Sequence, residues 1–106
     1  MNLTFTLSDE FGSFCADGEK AAQFRFERVD PFAAEAERIS FDFAGVRNAS
    51  SSFCNALVAN LISQTGGSVV QKLRFTNCRD NVRAVVEAAV ELGLARLRGA
   101  SAAVCS

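Results

Sequence analysis

The chain opens on an alternation: Leu3, Phe5 and Leu7 are apolar, and Asn2, Thr4 and Thr6 are polar. A two-residue period marks a half-buried strand, and threonine suits its open side. The same period recurs at Ile39, Phe41 and Phe43, set against Ser40, Asp42 and Ala44. It returns less regularly over residues 68–75, where Val69, Leu73 and Phe75 share a face with Gln71. Between these runs the period lengthens. Phe53, Leu57 and Leu61, flanked by Cys54, Val58 and Ile62, make a helical stripe,. Ser50, Ser51 and Ser52 stand before it, and serine is a preferred helix cap because its hydroxyl accepts from an orphan N–H of the first turn. Val82, Val85, Val86, Ala89 and Val90 make a last stripe, with Asn77 or Asp80 as its cap. Gly66-Gly67 and Gly93 are the expected ends of these two helices,.

Two segments are less plain. Over residues 18–29, Ala22, Phe26 and Val29 fit a helix capped by Asp17, while Phe24 and Phe26 alternating with Arg25 and Glu27 fit a strand. Asp30-Pro31 restarts the chain: aspartate suits a cap and proline the first helical position, predicting a short helical continuation over 32–37,. Phe11, Phe14 and Cys15, in the loop of residues 8–17, are expected to tuck onto the core, with a short second strand or a binding surface as the other uses of that loop. The element order is then strand, helix, strand, helix, strand, helix. Helical crossovers between strands give a parallel arrangement of right-handed connections, hence an α/β fold.

Composition supports one small domain, over residues 1–98, followed by a flexible tail at 99–106,. Ten phenylalanines, with no tryptophan or tyrosine, supply the bulk of the core. The absence of a membrane-length apolar run and of a basic, leader-like start predicts a cytoplasmic protein with no membrane partner. A net charge of −1 argues against nucleic acid as a partner,. Charge is nevertheless uneven. Residues 1–47 hold nine acids and five bases, net −4, and residues 48–106 hold three acids and six bases, net +3. Such polarity either steers a charged partner or is ordinary solvated surface. The four cysteines, at 15, 54, 78 and 105, lack metal or redox spacing and read as reduced thiols,.

Catalytic chemistry is poorly supplied. Histidine and tyrosine are absent, which removes the commonest general base and rules out any nucleophile–histidine dyad,. Neither a metal-ligand cluster nor a phosphate-cradling glycine motif is written in the chain. Cys54, beside a helix start, is either a thiol of lowered pKa or a buried inert one. The serine cluster is the feature with mechanistic content. It either caps the helix only, or presents hydroxyls at the positive end of a helix dipole, where a phosphoryl group is tolerated and changes the docking surface.

Residues 42–53 read D-F-A-G-V-R-N-A-S-S-S-F. This resembles the central motif of STAS domains (sulfate transporter and anti-sigma-factor antagonist). It is closer still to a bacterial STAS-like family of unknown function, patterned D-F-S-G-V, a few residues, S-S-F, then a helix. Classical antagonists carry D-L-S-x-V-x-x-x-D-S-S-G and are phosphorylated on the first serine of the pair. On this chain Asp42 takes the strand aspartate, Val46 the valine, Ser51 the phosphorylatable serine and Ser52 its neighbour. Ser50 replaces the loop aspartate and Phe53 the glycine. The resemblance is specific over residues 39–62. It implies a single mixed sheet of about four strands, the central ones parallel and the first antiparallel, packed with helices, and it favours the helix over 18–29.

The resemblance also implies a non-enzymatic interaction module without cofactor or metal. Its partner would be a regulatory protein, a kinase-like ATPase of the anti-sigma-factor type, docking on residues 47–58. Asp42, Arg47, Asn48, Ser50, Ser51 and Ser52 are the candidate contacts, and Ser51 is the candidate phosphorylation site. Two other functions fit the same residues. One is a small-ligand or nucleotide sensor holding an anion at the helix N-terminus with help from Arg79 or Arg83. The other is a plain partner subunit of an obligate, antitoxin-like complex.

Overall fold

The computed structural model describes residues 1–105, with side chains as far as Arg98; the tail expected at 99–106 falls outside the residues described in full. Three strands build the main sheet: β1 (Asn2–Thr6), β3 (Arg38–Asp42) and β5 (Leu73–Thr76), in the order β1-β3-β5 and parallel throughout. The first strand is therefore parallel, where an antiparallel one was expected. A long helical crossover, not a hairpin, joins it to β3, and a crossover returns the chain in the same direction. Two shorter strands, β2 (Phe14–Cys15) and β4 (Asn48–Ala49), form a separate parallel ladder. The α/β class stands, with its strands divided between two sheets instead of gathered in one.

The helices follow from the same chain logic. α1 (Leu7–Phe11) leaves the end of β1. α2 begins as Gly18–Phe24, with the Asp17 carboxylate accepting from the Glu19 and Lys20 N–H groups. It continues through a π-turn, Arg25–Val29, and a 3-10 turn, Asp30–Phe32. Residues 18–29 are thus helical, but the expected stripe of Ala22, Phe26 and Val29 is not the buried one. Ala21, Phe24, Arg25 and Val29 face inward, and Phe26 is 71% exposed. The wider π-turn rotates the end of the helix and defeats a 3.6-residue count. Asp30 starts its 3-10 turn and does not cap it, and residues 33–37 are turn and coil without the predicted helical continuation.

α3 runs over residues 51–65, as Ser51–Cys54, a π-turn Asn55–Ala59, and Asn60–Thr65. Its end at Gly66 is as read, with φ +96° and the Gly66 N–H bonded to the Ile62 carbonyl. A 3-10 segment, Gly67–Lys72, occupies most of the strand expected at 68–75, and β5 starts only at Leu73. Val69 and Leu73 are buried in either conformation, so their spacing did not discriminate.

The last helix, α4 (Asp80–Cys105), passes straight through Gly93. Gly93 was read as a stop, but it marks a close helix crossing. A Cβ there would stand 2.8 Å from the Ile62 Cβ and 3.0 Å from the Ala59 carbonyl oxygen. Neither Asn77 nor Asp80 caps this helix: Asp80 is its first residue, and Asn77 is engaged elsewhere.

Strand order follows chain order, so two crossovers of one hand lay α2 and α3 on the same face of the main sheet. On that face Phe5, Phe41 and Phe75 lie in one register row. Their rings stack at 5.8 and 6.0 Å between centroids. Phe24 meets Phe5 edge-on at 5.1 Å, and Phe11 bridges Phe24 and Phe53 at 5.4 and 4.9 Å. Phenylalanine thus ties the sheet to both crossovers. The Arg28 guanidinium covers this corner, 5.7 Å from the Phe5 ring centroid and 5.4 Å from that of Phe24, a cation–π arrangement. The opposite face of the sheet stays open. Thr4, Arg38, Arg74 and Thr76 are exposed, and Thr6, Ser40 and Asp42 half-buried. Parallel sheets are usually covered on both faces, and this one is covered on one.

Among the described residues one charged side chain is built into the core. Arg25, 6% exposed, donates from Nε to the Ala56 carbonyl at 3.0 Å and from Nη1 to Asp30 Oδ2 at 2.7 Å and Gln64 Oε1 at 3.0 Å. It opens the π-turn of α2 and reaches into that of α3.

Candidate functional site

The carboxyl edge of a parallel sheet is where open α/β folds place their sites. Here the loop from Asp42 to the start of α3 crosses that edge, and two hydrogen-bonded ties fix it. Asp42 Oδ1 accepts from the Ala44 N–H at 2.9 Å and from Asn77 Nδ2 at 2.9 Å. The Asn77 amide and the Ala44 N–H hold the Asp42 carboxyl below the usual carboxylate range, Asn77 more strongly. Asn77 sits at φ +58°, a left-handed conformation that asparagine tolerates better than most residues. That conformation aims its side chain from the β5–α4 turn back across the sheet edge. The second tie is Asn81 of α4, whose Nδ2 donates to the Arg47 carbonyl at 3.0 Å and to Asn48 Oδ1 at 2.8 Å. β4 is pinned from its other side, because the Arg47 N–H donates to the Ser13 carbonyl and the Ser50 N–H to that of Cys15.

The three serines divide their work. Ser50 is the cap: its Oγ accepts from the Phe53 N–H at 3.0 Å and donates to the Ala16 carbonyl at 3.1 Å. Ser51 and Ser52 are exposed, and among the described residues neither hydroxyl makes a hydrogen bond within the protein. Ser52 lies against the start of α2. A Cβ on Gly18 would stand 2.7 Å from the Ser52 Oγ, so glycine is what lets the first turns of α2 and α3 meet. Beside this contact is an open cleft of about 730 Å³, lined by Asp17, Gly18, Ser52, Asn55 and Arg96 among others. At its far side Arg96 Nη1 donates to Asn60 Oδ1 at 2.6 Å.

The six sequence-predicted residues fall together on this edge. Arg47 and Asn48 are exposed and Asp42 half-buried, while Ser50 is committed to the cap. Arg79 and Arg83, proposed as anion partners, are exposed but absent from the cleft lining, where Asp17 and Glu19 stand instead. Cys54 is fully buried, and burial, with smaller contributions from Cys15 and Cys78, pushes its thiol up to about 12. Of the two readings of Cys54, the buried inert thiol holds and the thiol of lowered pKa does not. Loss of hydration penalises the buried thiolate more than the start of the helix stabilises it,.

One residue was misjudged. Phe14, expected on the core, is 63% exposed and pairs in register with Asn48. It brings an aromatic ring to the same surface as the polar candidates. The clue lay in its neighbour: on a strand Phe14 and Cys15 point to opposite sides, and Cys15 is the fully buried one,.

Among the described residues no helix is long and apolar enough to cross a membrane. The model of the family described as a STAS-like domain of unknown function matches residues 20–83, which span α2, β3, the serine cluster, α3 and β5. No curated protein and no solved structure matches the chain.

Proposed function

We propose a docking function for this chain, which belongs to the STAS-like domain family of unknown function: a non-enzymatic module that binds a regulatory protein and is released by phosphorylation of Ser51. The observation that carries the reading is the division among the serines. Ser50 alone satisfies the helix cap, which leaves the Ser51 hydroxyl exposed and unbonded in the first turn of α3. A phosphoryl group added there meets the positive end of the helix and its orphan N–H groups. It brings roughly two negative charges to the docking surface without disturbing the cap.

The partner proposed is a kinase-like ATPase of the anti-sigma-factor type. Its footprint is the exposed side of residues 47–58, with Arg47 and Asn48 as polar contacts and Phe14 as the aromatic anchor beside them. Exposed aromatics of this kind often carry the energy of an interface.

The test compares wild-type, Ser51→Asp and Phe14→Ala baits in a lysate of the source organism, with captured proteins identified by mass spectrometry. A kinase-like ATPase held by the wild type and lost, at least about tenfold, by both variants is the expected result. Equal capture by wild type and Ser51→Asp removes the switch, and failure of the wild type to hold any such ATPase removes the docking reading.

A further inference from the structure

The two outer strands of the main sheet are treated differently. At β5, the Phe43 N–H donates to the Thr76 carbonyl, so Thr76 and Arg74 face β3, and the backbone groups of Leu73 and Phe75 point outward by alternation. The outward Leu73 carbonyl is taken by Arg74 Nη1 at 2.8 Å, and the same nitrogen also reaches the Gln71 carbonyl at 3.0 Å. A charged side chain thus blunts that edge, a common device against unwanted pairing.

At β1 the Glu37 N–H donates to the Met1 carbonyl. By the same alternation Leu3 and Phe5 bond β3, while the N–H and C=O of Asn2 and Thr4 and the N–H of Thr6 face outward. The Thr6 carbonyl begins α1,. Asn2–Thr6 holds no charge, no proline and no glycine, and among the described residues no strand covers its outer side. β1 thus lacks even the single charged cap that Arg74 places on an outward carbonyl of β5.

We propose that β1 pairs antiparallel with β1 of a second copy of this chain, about a two-fold axis through Thr4. The strand is self-complementary in that register. Thr4 faces Thr4 and exchanges two hydrogen bonds, and each Thr6 N–H donates to the Asn2 carbonyl of the other copy. Leu3 faces Phe5 on the packed side of the sheet, and the Thr4 side chains face each other on the open side. Threonine pairs and aliphatic–aromatic pairs are favourable cross-strand neighbours, and no charge opposes a like charge. The axis closes the assembly at two copies and joins two three-stranded sheets into one of six strands.

The register supplies its own test, because the residue on the axis meets itself. Sedimentation velocity on the full chain is expected to show a dimer for the wild type. Thr4→Lys and Thr4→Glu, whose side chains stand on the open face away from the core, each place like charges on the axis. Each variant is expected to sediment as a monomer, with self-association weakened at least about tenfold. An equimolar mixture of the two restores the dimer by opposing charges, which also shows that both variants fold. A wild type that stays monomeric at hundreds of micromolar overturns the proposal. So does a Thr4→Lys variant as dimeric as the wild type, or a mixture that fails to associate.

Discussion

Asp42 and Asn77 lie in elements far apart in sequence, yet one hydrogen bond between them sets the geometry of the candidate surface. Because this bond and the Ala44 N–H hold the folded-state pKa of Asp42 below its unfolded value, the sign of the coupling is fixed. The contribution to stability is present above the unfolded carboxylate pKa of about 3.9 and is lost as pH falls through the lower folded value. Asn77→Gly removes the amide and keeps a residue at ease with positive φ. The Asp42 carboxyl, followed by its carbon resonance in an NMR titration, is expected to titrate at higher pH in this variant. An unchanged midpoint would dismiss Asn77 as the cause. Asp42 and the serines were visible in the sequence because they belong to a motif. Asn77 and Asn81 were not, because nothing in a turn or on a helix surface shows which distant loop an amide will reach. Phe14 was lost for a different reason: a lone aromatic in a loop reads as an anchor by default, and only its pairing with Asn48 turns it outward.

At the level of elements, what the period of the chain could express was read from it. The β1 and β3 strands and the α3 stripe came from unbroken alternation or helical spacing. The departures sit where two conformations bury the same residues, as at Val69 and Leu73, or where the helical period itself changes. The π-turn of α2 is of the second kind, whereas that of α3 leaves Phe53, Leu57 and Leu61 buried as their spacing predicts; Arg25 couples the two helices. Its Asp30 partner already carries a buried Oδ1 without a hydrogen bond. Removing the guanidinium therefore leaves the Asp30 carboxylate and the Ala56 carbonyl without their partner at once, while the exposed Gln64 amide turns to water. Arg25→Ala is expected to cost about 3 kcal/mol, the low end for a broken buried pair because Asp30 retains some exposure,. Urea unfolding measures it. A double variant, Arg25→Ala with Asp30→Ala, is expected to lose less than the sum of the two single changes. Additive losses would mean that the pair is not coupled. Gly93 teaches the converse of a misread period: a glycine inside a helical pattern can mark a neighbour's approach instead of an end, and only the packing of α3 on α4 tells the two apart.

Across the whole molecule, the sheet is one-sided, and its strands are never sequence neighbours. The phenylalanine row on the packed side is assembled from three parts of the chain, and each ladder joins residues on the order of 35 positions apart, so a crossover must close before any pairing rewards it. The main sheet therefore offers no hairpin to nucleate folding. Local structure can form early in α3 and α4, which pack on each other through the Gly93 crossing, but β1 has nothing to pair with until the entire first crossover is in place. Contact order of this kind places refolding with the slower mixed domains, well behind helical bundles of the same length. It also leaves β1, made before β3, without its neighbour until the whole first crossover and β3 have followed it.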